Sequence, residues 1–285
     1  MYPIHISFFI IFTISNLSLG WAQEITPENA FEYCQGIALE IQKEYPNTNE
    51  SYTIQGYMYQ RAQKYEEAIE AFQKSIDIKP NQPILLDLIA FLYNKLTRYE
   101  KAVEWYQKTL DLQPDFAKAN ERLGLALQKL NRMDEALQAF ERELKYYPQT
   151  ATARIYLGER YFATDRLEEA EEQAQEAMKA DPRLPEPFYL LGKIYRKQGK
   201  AEKTKEMLEK FQQKKNEEQE YIEKNIQEKT DREQVIQDAV QIHIEAGTIY
   251  FMHKQNVKSE SHFMRAIRLN PKNVEARYNL ALIYQ

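Results

Sequence analysis

Proline stands at residues 46, 80, 114, 148 and 182, an arithmetic series of step 34. The same step links Gly56, Ala90, Gly124, Gly158 and Gly192. Three residues beyond each of these stands Tyr59, Tyr93, Leu127, Tyr161 or Tyr195. A fixed period of roughly 20–50 residues marks an array of supersecondary units, none of which can bury its apolar face alone. The chain must therefore fold by stacking like on like.

One unit, residues 117–150, shows what is stacked. "AKANERLGLALQKL" is apolar at Leu123, Ala126, Leu127 and Leu130, the spacing of one helix face. "NRM" reads as a turn. "DEALQAFERELKYY" then places Ala136, Leu137, Phe140 and Leu144 on one face and ends at Pro148, which disfavours helix in the residue before it. Gly124 costs about 1 kcal/mol against alanine inside a helix. Its recurrence implies that two helix backbones cross there and leave no room for a side chain. A phosphate-binding glycine is excluded, because no G-x-G cluster opens a helix.

Composition supports helices throughout, with only 8 glycines in 285 residues and no alternating strand pattern. A net charge of −5 from 38 basic and 43 acidic residues gives no basic stripe of the kind nucleic acid needs. "ISFFIIFTI" (6–14), followed by small residues at Gly20 and Ala22, reads as an export signal cleaved after Ala22. The alternative is an uncleaved membrane anchor, although the run is shorter than the ~20 residues of a span. Export would place the mature chain in the periplasm or medium. Cys34 is the sole cysteine, so no internal disulfide forms, and it reads as a small buried helix-face residue. Three histidines, His243, His253 and His262, share one unit but lack metal-ligand spacing. No cofactor motif and no catalytic constellation is present.

The pattern L-G-x-x-[Y/L], then A-x-x-x-F, then P resembles the tetratricopeptide repeat (TPR). Ala68 with Phe72, Ala102 with Tyr106, and Ala136 with Phe140 match its second-helix signature. Ala170 with Ala174 lacks the aromatic. The resemblance implies an all-α solenoid, a right-handed superhelix of antiparallel helix pairs. The expected organisation is a signal peptide at 1–22, a half-repeat or capping helix at 23–48, and five repeats over 49–218. An inserted extension (219–239), a sixth repeat (240–273) and a partial seventh (274–285) follow. The insertion arises because Gly192 and Gly247 are 55 residues apart, one period plus 21. Its Gly- and Pro-free sequence predicts a projecting helical hairpin in which Tyr221, Ile222 and Ile226 face Val235, Ile236 and Ala239; the alternative is a solvated charged spacer.

In that family the first helix of each repeat lines a concave wall. Carried over by phase, the wall here would hold Tyr57, Arg61, Phe91, Asn94, Lys95 and Lys129. It would continue through Phe162, Tyr189, Lys193, Arg196 and Lys197. Asp87 would face inward with them. Aromatics interleaved with basic groups suit a protein or peptide partner. A subset of the family clamps a peptide's terminal carboxylate. Lys118 and Arg122 fall at two of the clamp's basic positions, but Thr53, Tyr57 and Leu88 replace the rest. The expected function is a non-catalytic interaction scaffold with no cofactor and no nucleic acid. It would touch a membrane only through an uncleaved signal. The alternative is the recruiting arm of a larger enzyme, since the sequence stops inside a first helix at "LALIYQ".

Overall fold

The computed structural model describes residues 30–228 and 232–284, and every regular element among them is an α-helix. After α1 (Ala30–Glu44) come five helix pairs: α2 (Asn49–Arg61) with α3 (Tyr65–Ile78), α4 (Pro83–Lys95) with α5 (Tyr99–Leu112), and α6 (Ala119–Lys129) with α7 (Met133–Tyr146), then α8 (Ala151–Ala163) with α9 (Leu167–Ala180), and α10 (Glu186–Lys197) with α11 (Ala201–Glu228). α12 (Arg232–Met252) pairs with α13 (Asn256–Leu269), and α14 (Val274–Ile283) packs on α13. The expected all-α repeat array is the fold observed. The 1–22 signal lies outside the described residues.

Two compact units divide the chain. Residues 38–230 hold the five pairs, and residues 231–285 hold the sixth pair and α14 together with the first turns of α1 up to Ile37. Within the five-pair unit each second helix packs on the first helices to either side, while α4 also touches α6 and α8 touches α10. First helices thus touch directly at two of the four steps between neighbouring repeats.

The turn inside each pair is one recurring device. Gln63, Thr97, Asn131, Asp165 and Gly199, again 34 residues apart, have φ between 57° and 72°, and Lys254 repeats the conformation in the sixth pair. The next amide reaches back five residues: the N–H of Arg98 donates to the Tyr93 carbonyl at 2.9 Å and that of Arg132 to the Leu127 carbonyl at 2.9 Å. This is a Schellman stop, which satisfies carbonyls that the helix end would leave unpaired. Only Gly199 takes the left-handed conformation without Cβ strain.

Close helix crossing explains the periodic glycines. A Cβ on Gly124 would lie 2.6 Å from the Phe140 ring, and Gly247 faces Phe263 in the same way at 2.7 Å. Gly56 meets Phe72, and Gly192 meets Leu208, so the aromatic position accepts leucine. At Gly158 the own-repeat aromatic is absent, and Leu190 from the next repeat fills the gap, 2.8 Å from where a Cβ would stand. Ala90 stands opposite Tyr106, and both are buried. Phe72, Ile89, Leu92, Tyr106, Leu123 and Phe140 belong to one core running through the first four repeats.

α11 is 28 residues long, twice the 14 of the second helices before it. The residues expected to face one another across a hairpin fall in two units, and the side chains of Ile226 and Val235 lie outside those described. Tyr221 and Ile222 are exposed at 66% and 46%, and Ile236 joins the sixth-repeat core with Val240, Ile244, Ala266 and Ala276. The boundary between the two units falls at Thr230–Asp231, where the hairpin tip was expected. α11 belongs to one unit and α12 to the other.

Candidate functional site

The first helices position the wall side chains because their opposite faces are consumed by packing. On α4, Leu85, Leu86, Ile89, Ala90, Leu92 and Tyr93 are buried. That leaves Phe91 and Asn94 half-buried and Lys95 exposed, with the Lys95 ammonium 5.3 Å from the Phe91 ring centre. On α2, Tyr57 is half-buried edge-on to Phe72 at 5.3 Å, and Arg61 is exposed. Lys129 is exposed at the end of α6.

The densest cluster joins α8 and α10. The Lys193 ammonium lies between two rings, 4.8 Å from Phe162 and 5.5 Å from Tyr189. Lys197 stands 5.4 Å from Phe162 and pairs with Asp165 at 2.6 Å. Tyr189 rests on Phe211 of α11 at 5.1 Å yet remains 46% exposed. Arg196 is exposed and lines a cleft of about 640 Å³ between α10 and α11, with Leu208 and Gln212. The eleven expected wall residues therefore all lie on first helices, half-buried or exposed, but spread over five repeats instead of one pocket.

One inward assignment changes. Asp87 is only 6% exposed and is held by Arg122, a neighbour 35 residues on. Burial pushes its carboxyl up, and the Arg122 guanidinium opposes that shift. Arg122 is thereby occupied, so the partial clamp loses one of its two basic positions. A second buried carboxylate, Glu143, accepts the N–H of Glu121 at 3.3 Å and the Thr150 hydroxyl at 3.4 Å. It caps α6, whose N-cap residue Lys118 makes no side-chain cap. Asp87 and Glu143 are therefore parts of the scaffold.

Tetratricopeptide-repeat models match residues 50–82, 92–131, 121–185, 188–214 and 262–285. This chain is a tetratricopeptide-repeat protein. Its fold is that of a protein-interaction scaffold. No curated protein matches its sequence significantly. Among solved structures, MamA from Desulfovibrio magneticus RS-1 is similar at 24% identity and a TM-score of 0.53, over 59% of this chain and 96% of that one. A second MamA structure matches at 21% and 0.54, over 61% and 94%. YrrB matches at 21% and 0.53, over 62% and 91%.

The sixth TPR repeat holds a polar cluster that sequence spacing did not bring together. His243 Nδ1 lies 2.9 Å from His262 Nδ1, and His243 Nε2 lies 2.8 Å from the Tyr33 hydroxyl of α1. Only one proton fits between the two Nδ1 atoms. Burial, then the charges of His262 and Arg265, pushes His243 down to about 3. Burial, then Lys258, pushes His262 down to about 4. Among the described residues, no group of three or more His, Cys, Asp or Glu side chains could hold a metal. No described helix is long and apolar enough to cross a membrane.

Proposed function

We propose that this TPR protein is a non-catalytic scaffold whose first-helix wall holds an extended protein or peptide segment, in an assembly outside the cytoplasm. The observation that carries the reading is the α8–α10 cluster. Tyr189 stands 46% exposed there, with the Lys193 ammonium lying by both its ring and that of Phe162. A solvent-facing aromatic supported from behind by Phe211 is already ordered, so a partner loses less side-chain entropy on contact. The likeness to YrrB, whose structure is described as having an unusual peptide-binding site, supports a peptide as the occupant. The apolar 6–14 segment supports export.

The test is selection of twelve-residue peptides from a random displayed library on the whole immobilised chain, followed by titration of the winners. Tyr189→Ala and Phe91→Ala should each weaken binding by about 2 kcal/mol where the ring is an anchor. Gln138→Ala, on the exposed face of α7, should leave binding unchanged. Equal weakening by all three variants would remove the wall as the site.

A further inference from the structure

We propose that the wall is selective for an acidic peptide carrying one bulky apolar side chain, which enters a cleft between the third and fourth repeats. The inference rests on the wall reading above and adds what the partner must look like. Two observations carry it.

The first is a ladder with a missing rung. Stepping by 34 from Arg61 reaches Lys95, Lys129, Ala163 and Lys197. Each stands in the last turn of its first helix, and all five are exposed. Four of the five rungs are cationic, and the exception is alanine. Adjacent packed helices lie about 8–10 Å apart, and an extended chain rises about 3.3 Å per residue. Where first helices pack directly, as α4 does on α6 and α8 on α10, a crossing peptide therefore meets one rung about every three residues. Carboxylates at that spacing would match the ladder. Lys197 already pairs with Asp165, so the stronger attraction comes from Lys95 and Lys129.

The second observation is a cleft at the missing rung. Where α6, α7 and α8 meet, Met133, Leu137, Phe140, Tyr156 and Ala163 line a space of about 240 Å³, with the polar Gln128, Glu159 and Arg160 also in its lining. Its floor is rigid, because the Phe140 and Tyr156 rings stack at 4.8 Å with 6° between their planes. Met133 at its edge is 39% exposed. The space is smaller than the roughly 300–1,000 Å³ of pockets that take whole small molecules, so it suits a single large side chain. A lysine at 163 would reach over this opening, whereas alanine leaves it clear. At its mouth the Arg160 guanidinium pairs with Asp134 at 3.1 Å, so no uncompensated cation repels an apolar group there. The apolar part of the lining matches an anchor of the leucine, methionine or phenylalanine type; because Glu159 also lines the opening, the aspartate or glutamate belongs about three residues away, toward Lys129 one rung off.

The experiment uses the same displayed library and four protein variants, Ala163→Leu, Ala163→Lys, Tyr189→Ala and Phe91→Ala. Wild-type winners should share a large apolar residue with an acidic residue about three positions away. Replacing that apolar residue by alanine in the synthetic peptide should weaken binding roughly thirtyfold, as loss of an anchor does. Ala163→Leu should fill the opening and weaken binding at least tenfold. Ala163→Lys should shift preference toward peptides with glutamate in the anchor's place. Both substitutions are at an exposed residue, and circular dichroism checks that each variant folds; the peptide alanine series needs no protein variant at all. Winners that respond to Tyr189→Ala but ignore both Ala163 variants and the anchor truncation would overturn the cleft and leave the wall standing. Winners that respond to neither Tyr189→Ala nor Phe91→Ala would overturn both.

Discussion

The same chemical change, glycine to alanine, should have opposite signs at two helical positions of this chain. At Gly36 in α1 an added Cβ meets nothing within 4 Å, so Gly36→Ala should stabilise by about 0.5–1 kcal/mol through lower backbone entropy. At Gly124 the added Cβ would sit 2.6, 2.7 and 2.9 Å from three carbons of the Phe140 ring. Comfortable carbon contacts lie near 3.5–4.0 Å, so the ring must retreat by about 1 Å. It has nowhere easy to go, being 3% exposed and stacked on Tyr156. Overpacking of this kind costs about 1–3 kcal/mol. After subtracting the helix gain, Gly124→Ala should be destabilising by up to about 2 kcal/mol, and Gly124→Leu by more. Phe140→Leu should relieve the clash, so Gly124→Ala in that background should cost at least about 1 kcal/mol less than in the wild type. Repeat arrays need not unfold in one step. Urea unfolding should therefore be followed both by circular dichroism and by hydrogen exchange in α6 and α7. If Gly124→Ala stabilises as much as Gly36→Ala and shows no coupling to Phe140, the crossing argument is wrong.

Three further outcomes follow from the structure. Thr97 is β-branched at φ 57°, so Thr97→Asn should stabilise by about 0.5–1 kcal/mol, whereas Gly199→Ala, at φ 72°, should destabilise by about 1–2 kcal/mol; urea midpoints decide both. His243 and His262 hold folded-state values of about 3 and about 4, below the ordinary 6.5. Between pH 6.5 and about 4 the unfolded chain then binds more protons, so the stability of the sixth repeat should fall on acidification. The slope should approach 1.4 kcal/mol per pH unit for each histidine, and thermal melts of wild type against His262→Gln at pH 7.5, 6 and 5 measure it; a flat wild-type profile would refute the buried pair. Export predicts a mature amino terminus at Gln23, read by mass spectrometry of the periplasmic or secreted fraction, and the uncut chain found only in cytosol would exclude it.

The repeat frame was legible because each device that builds it is local. Pro148 ends a helix two residues away, and Gly124 meets Phe140 within one repeat, so a step of 34 exposes both. What stayed hidden is what crosses repeats. Leu190 fills the space over Gly158 from the following repeat, and nothing near Gly158 announces it. Asp87 reads by phase as a wall residue, but Arg122 of the next repeat draws it into the interior. The left-handed turns were visible only at Gly199, since glutamine, threonine, asparagine, aspartate and lysine take the same φ at the equivalent positions. The His243–His262 contact joins helices through side chains 19 residues apart, outside any motif spacing.

The candidate site divides along the same line. Phase alone places Lys95, Lys129 and Lys197 on one edge, because a periodic backbone turns equal positions to equal faces. Phase cannot say that Lys197 is tied to Asp165 while the opening beside Ala163 is floored by two stacked rings. Those facts depend on neighbours that differ from repeat to repeat. A solenoid recognises a particular partner only where its repeats stop being identical, since a perfectly regular wall would hold a peptide equally well in every register shifted by one repeat. Ala163 breaks the register of the basic ladder at a rung where the structure also opens a cleft of about 240 Å³. A bulky side chain seated there would fix the register that the ladder alone leaves free, with the lysines on neighbouring repeats supplying attraction along the rest of the segment.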